Sequence, residues 1–235
     1  MNYIDLFAVL IIVLSILVGY NQGFLKSIFN IVNIILSILI GLVFYGLVAK
    51  DITSNPQILP TVVHFSESSE LLGGIENERV SVYEKTYEEI EVLADSLNLP
   101  YPVTRLLDKN IQNQSFASKG IESLGEYLGY TIGNMTINYI SFLIVFFISF
   151  VIIFALINIG DYVLELPVLR SMDAVAGGIG GFVQGLLILN VIFLAIPLVL
   201  AFLPFEELVQ FVEGSSFSKM YYYQNILTKI ISGVI

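Results

Sequence analysis

The stretch from Asp173 to Gly185 reads D-A-V-A-G-G-I-G-G-F-V-Q-G and runs into the apolar segment Leu186 to Leu203. Gly177, Gly181 and Gly185 fall four apart, so on a helix they share one face. Two helices in lipid gain nothing from the hydrophobic effect when they meet. They associate by close backbone packing, which a residue without a side chain permits. The segment therefore reads as a membrane helix whose first turns are shaped for another helix to approach. Packing is the plainer reading; a moving or substrate-facing element is the sharper one.

Composition agrees. Of 235 residues, 56% are hydrophobic and only 13% are charged, against roughly 25% charged in a soluble domain. That shortfall places the chain among integral membrane proteins. There is no Cys, which excludes disulfides, thiolate metal sites and Cys nucleophiles. A net charge of −10 argues against nucleic acid as a partner.

Three more apolar runs complete four spans. The first, about Tyr3 to Val18, lacks a basic leader and a small-x-small cleavage site, so it reads as a retained helix. Gly19 to Gly23 is a turn, because Gly and Asn tolerate the left-handed backbone that ends a helix. The second span, about Phe24 to Val48, must then be an antiparallel neighbour of the first. It carries a polar stripe of Gly23, Ser27, Asn30, Ser37 and Gly41, with Asn33 at the edge. Polar groups are costly in lipid. The stripe either hydrogen-bonds to other helices or walls a polar path through an oligomer. The third span is about Ile137 to Ile157, with Ser141 and Ser149 placed to meet a partner. The fourth is about Gly178 to Leu203. Pro197 removes a backbone donor and predicts a kink near Phe193, and Asn190 is a polar residue on a different face from Gly185.

The expected fold is an all-α membrane protein: four transmembrane helices with a long, mostly helical extramembrane insert between the second and third. Residues 1–48 form helices one and two, 49–136 the acidic insert, 137–203 helices three and four, and 204–235 an amphipathic tail. In the insert, Pro56 and Pro60 break any continuing helix. Val80, Tyr83, Tyr87, Ile90 and Leu93 recur at helical spacing and predict an amphipathic helix near Arg79 to Leu97. A second is expected from Val103 to about Tyr130, interrupted near Gly120. The carboxylates between Glu67 and Asp95 form no EF-hand, and the one His, His64, sits in a loop-like stretch. They read as a solvated face, with no metal and no cofactor. No span carries paired acids, a Ser with a base, or a His and acid set, so no catalytic residue is assigned; Asp5 stands alone near an end. The tail from Phe217 to Ile235 reads as an interfacial amphipathic helix.

Two places together resemble the colicin V production protein (CvpA) family of bacterial inner-membrane proteins. One is Asp5, an apolar run, then Gly19-Tyr20-Asn21-Gln22-Gly23-Phe24, similar to the family's early acid and G-x-x-x-G-F turn. The other is Arg170-Ser171-Met172-Asp173 leading into Gly177, Gly181 and Gly185, similar to its polar residues before a glycine-spaced helix. The insert is much longer than the family's usual link, and Asp173 lies closer to the glycines than the basic residue Arg170 does. The resemblance implies a non-enzymatic, multi-pass protein of the bacterial cell membrane, linked to toxin production or secretion and to envelope maintenance. A small channel or transporter subunit, with a polar path lined by helix two, is the alternative. The expected partners are the lipid bilayer and either further copies of the chain or other envelope proteins. Termini and insert are expected outside, with both short turns in the cytoplasm.

Overall fold

The structure, a computed structural model, describes residues 3–66, 71–72, 75–97, 99, 101–161, 170–202, 210 and 212–231. In chain order its helices are α1 (Tyr3–Gln22), α2 (Phe24–Ser54), α3 (Ile58–Phe65), α4 (Ile75–Glu78), α5 (Tyr87–Ser96), α6 (Val103–Gln112), α7 (Leu124–Asp161), α8 (Arg170–Phe193), α9 (Ala195–Phe202), α10 (Ser216–Tyr223) and α11 (Ile226–Ile231). Among the described residues there is no β-strand, only an isolated bridge between Ser81 and Ser123. Four helical stretches are long and apolar enough to cross a membrane: Tyr3–Gln22, Phe24–Ser54, Leu124–Ile159 and Asp173–Leu200. The last is interrupted at Leu194, where Pro197 has no N–H for the carbonyl four residues back.

The described residues fall into two compact units. The first comprises Met1–Gly46, Ser141–Leu194 and Gln210–Leu227. Its helices are built inside out by the standard of a soluble protein. In α1 the buried residues are Asp5, Ala8, Ser15 and Gly19, while Leu6, Phe7, Leu10, Val13, Leu14 and Leu17 are exposed. In α8 the glycines 177, 178, 180, 181 and 185 are buried, while Val175, Ile179, Phe182 and Val183 are exposed. Water would penalise this arrangement. Lipid favours it, because the greasy side chains meet acyl chains and the small residues meet each other.

The second unit comprises Leu47–Ile140, Ala195–Val209 and Thr228–Ile235, and there the pattern reverses. Every residue from Thr131 to Tyr139 is buried, so this part of α7 is the core helix of a packed body. Beyond Ile140 the exposed residues of α7 include Phe147, Ile148, Val151, Ile152 and Leu156. One unbroken helix thus passes from a protein interior to a lipid-facing stretch. The sequence reading started this helix near Ile137 and ended a separate insert helix near Tyr130; both boundaries are corrected. The start is fixed at Leu124 by a capping pair. The Ser123 oxygen accepts the Glu126 N–H at 3.3 Å, and the Ser123 hydroxyl donates to the Glu126 carboxylate at 2.9 Å. Before it, α6 ends at Gln112 and a 3₁₀ turn at Ala117–Lys119 closes on Gly120 at φ 70°, a left-handed conformation that suits Gly.

Two further expectations shift. The predicted helix Arg79 to Leu97 is confined to α5, because Thr86 caps it in a full capping box with Glu89. The Thr86 backbone N–H and hydroxyl both donate to that carboxylate and hold it below its ordinary range. Pro60 does not break a helix. It lies in the first turn of α3, where its missing N–H would have had no helical partner anyway. His64 is on that helix rather than in a loop, and it is exposed. Helix α3 packs over Gly133 of α7, whose absent Cβ would meet Val63 at 3.0 Å and Leu59 at 3.1 Å.

Between α5 and α6, burial, then the Asp95 carboxylate, then that of Glu91, push the Asp108 carboxyl up to about 6. A carboxyl raised in the fold binds its proton more tightly when folded. The insert therefore loses stability as pH rises from about 4 to about 6. Asp108→Asn should protect residues 87–112 from hydrogen exchange at pH 7.5, by on the order of 1 kcal/mol after solvent screening. The gain should vanish at pH 4, and unchanged protection at pH 7.5 would contradict the reading.

Candidate functional site

The most extensive helix pair among the described residues is α1 with α8, and it meets backbone to backbone. A Cβ added to Gly19 would lie 2.2 Å from the Gly177 carbonyl oxygen. One on Gly177 would lie 2.3 Å from the Gly19 oxygen, and one on Gly181 2.1 Å from the Ser15 oxygen. Gly185 is slightly looser, 3.1 Å from the Ser15 Cβ and 3.2 Å from the Ile12 Cα. Partner numbers on α1 fall as those on α8 rise, so the two helices run antiparallel. No carbon atom fits at the first three positions without moving a backbone.

Helix α2 joins this contact at Ser27, which is fully buried. Its hydroxyl donates to the Gly177 carbonyl at 3.0 Å, and a Cβ on Gly180 would sit 2.7 Å from its own Cβ. Three helices therefore converge on Gly19, Ser27 and Gly177. Asp173 completes the junction. Its Oδ1 accepts the Phe24 N–H at 2.8 Å, so a residue of α8 supplies the cap for the first turn of α2. Negative charge is favourable at that helix end. Gly23 adopts φ 84°, and a Cβ there would lie 2.2 Å from Asp173 Oδ2. Two independent constraints thus require glycine at this turn. The third polar residue singled out with them, Arg170, begins α8, and its side chain lies outside the described residues.

The stripe on α2 is shared between two neighbours. Ser27 faces α8. Asn33 and Ser37 are buried; Asn33 Nδ2 donates to the Phe150 carbonyl of α7 at 3.4 Å, and Ser37 donates to the Asn33 carbonyl at 2.7 Å. A Cβ on Gly41 would meet the Phe142 ring at 2.7 Å. Phe142, Phe146, Phe150 and Phe154 stack one turn apart along α7. Asn30 is half-buried and donates to the Gln22 side chain at 2.7 Å.

At the opposite end of α1, Asp5 is buried and accepts hydrogen bonds from Ser215 and Ser218. Asn190 donates to its own Leu186 carbonyl at 2.9 Å, and its backbone carbonyl accepts from Asn225 at 2.8 Å. Among the described residues the tail is two short helices with buried inner faces where a single helix was expected. Among the described residues no group of His, Asp or Glu could hold a metal ion.

Sequence reasoning passed over Gly180 and Ser15 as packing residues. A signal for Ser15 was present: Ser15, Gly19, Gly23 and Ser27 form a four-residue ladder of small residues, opposite the ladder of 177, 181 and 185. Ser215, Ser218 and Asn225 carry no such signal, because their partners lie far away in sequence.

The family model described as colicin V production protein matches residues 4–75 and 115–224. The chain belongs to that family. The colicin V production match covers the whole glycine junction, Asp5, and the tail as far as Gln224; it passes over 76–114, which hold α5 and α6. Comparison with curated proteins and with solved structures gave no match. The protein is a multi-pass membrane protein of this family.

The junction makes sharp demands. Gly181→Leu should displace α8 from α1 and lower the thermal midpoint in detergent, at a cost of about 1–3 kcal/mol or more. Asp173→Leu should cost about 0.5–2 kcal/mol through loss of the cap, and Asp173→Asn, which keeps an acceptor, clearly less. Equal midpoints for all three variants and the parent would refute the close-contact account.

Proposed function

We propose that this chain is a non-enzymatic helical protein of the bacterial cell membrane that supports toxin production or secretion and maintains the envelope. The observation that carries the reading is the family match, which spans both halves of the glycine junction. The junction is organised for assembly. Its polar residues satisfy helix ends and carbonyls, and no nucleophile, base and electrophile converge there. Partners in this reading are the bilayer and either further copies of the chain or other envelope proteins.

A strain lacking the gene should secrete less of a plasmid-borne bacteriocin and show raised envelope-stress signalling. Restoring the gene should correct both, whereas Gly181→Leu should not. A deletion strain that behaves as the parent in both assays would overturn the proposal.

The channel alternative needs water at the α2 stripe. Asn33 and Ser37 instead direct their donors at helix carbonyls. Because the chain has no Cys, single reporters are clean. Cys introduced at 33 or 37 should stay unreactive to a small maleimide in native membranes. Cys at the exposed Glu88 should label from outside, as the proposed orientation requires. Rapid labelling at 33 and 37 would favour the channel; protection at 88 would reverse the orientation.

A further inference from the structure

The glycine contact grips α1 and α8 near Gly19 and Gly177. Because the pair is antiparallel, the start of α1 and the end of α8 lie at the other end of the same pair, and there the segment from Val212 to Leu227 ties them. Its first attachment is to α1. Asp5, 7% exposed, accepts the Ser218 hydroxyl at 2.6 Å through Oδ1, and the same oxygen accepts from Ser215. Ser215 is also the N-cap of α10, its oxygen taking the Ser218 N–H at 3.2 Å. The turn that starts α10 is thereby formed on the carboxylate.

The second attachment is to α8. Asn225 donates Nδ2 to the Asn190 carbonyl at 2.8 Å, and its Oδ1 accepts the Leu227 N–H at 2.9 Å. Asn190 lies in the last turn of α8, where helical donors run out. The Tyr221 ring sits 5.4 Å from that of Phe193. Val212, Ser218, Tyr222 and Asn225 are each 3% exposed or less. Between this segment and α8 lies a pocket of about 160 Å³ lined by Asn190, Met220, Tyr221, Gln224 and Asn225. Four of those five residues belong to the tail.

We propose that residues 212–227 are a strap across the ends of α1 and α8, and that the Asp5 side chain is its latch. Hydrogen bonds to a carboxylate are about twice as strong as neutral ones, and a carboxylate in apolar surroundings must keep its donors. Two hydroxyls of the segment therefore converge on one oxygen of a buried side chain of α1. Asp5 acts here as a positioning residue. The inference stands apart from the role in toxin production, since it concerns only how the tail is held.

The test uses the full-length protein in native membranes with one Cys at position 212. In the parent this thiol should react slowly with a maleimide. Asp5→Leu should speed the reaction roughly tenfold or more, the equivalent of losing one charge-assisted bond. Ser218→Ala, which leaves the Ser215 cap in place, should speed it several-fold. Asp5→Asn keeps an acceptor oxygen and should return the rate toward the parent's. A second reporter, Cys at position 37, should stay unreactive in every background. Position 212 staying as protected in Asp5→Leu and Ser218→Ala as in the parent would overturn the latch. So would an Asp5→Asn variant as open as Asp5→Leu, or the two reporters opening together in both Asp5→Leu and Ser218→Ala, since Asp5 would then support the whole bundle. Should Asp5→Leu fail to accumulate, Ser218→Ala carries the test alone.

Discussion

Two backbones approach here more closely than any side chain allows, and the first unit is arranged around that approach. Gly19, Gly177 and Gly181 each face a main-chain oxygen at a distance that excludes a Cβ. In lipid, acyl chains solvate Leu and Phe as well as a protein interior does, so burying such residues drives nothing. What remains is van der Waals contact between main chains, weak Cα–H···O contacts, and hydrogen bonds that lipid cannot supply. The outward-facing Leu, Ile and Phe residues of α1 and α8 follow from this as surely as the inward-facing glycines.

The same condition accounts for two of the polar residues. A donor or acceptor at membrane depth must find a partner within the protein. Ser27 finds the Gly177 carbonyl and Asn33 the Phe150 carbonyl, while at the exposed turn Asp173 takes the first amide of α2. Seen together, these residues of the colicin V production family are joinery. They finish helix ends and fill the remaining acceptors where glycines have brought carbonyls within reach. The second unit holds the buried stretch Thr131–Tyr139, a full capping box at Thr86 and Glu89, and exposed carboxylates such as Glu88 and Glu91 on α5. Residues 76–114, which the family match passes over, lie wholly in it.

Legibility followed physical range. The four spans, the Gly23 turn and the glycine ladder were readable because each depends on composition or on spacing within one helix. The helix break before Pro197 was readable because a missing N–H acts locally. The length of α7 was not. Most of Leu124–Tyr139 is buried by packing, whereas beyond Ile140 one face of the helix, with Phe147, Ile148, Val151, Ile152 and Leu156, is exposed, and an apolar count cannot separate a protein core from lipid. The capping pair Ser123 and Glu126 did carry the correct start. The attachment of the tail was invisible, since nothing near Ser215 or Asn225 names Asp5 or Asn190 as a partner.

Asp173 caps a helix that begins 149 residues earlier, and this bears on how the molecule is made. Synthesis delivers the first hairpin to the membrane long before its cap exists. Until α8 arrives, the Phe24 amide must borrow a partner from water or a lipid headgroup, and the groove along Gly19 stays vacant. The opening helices are provisional, and α8, which leaves the ribosome well after them, makes them final.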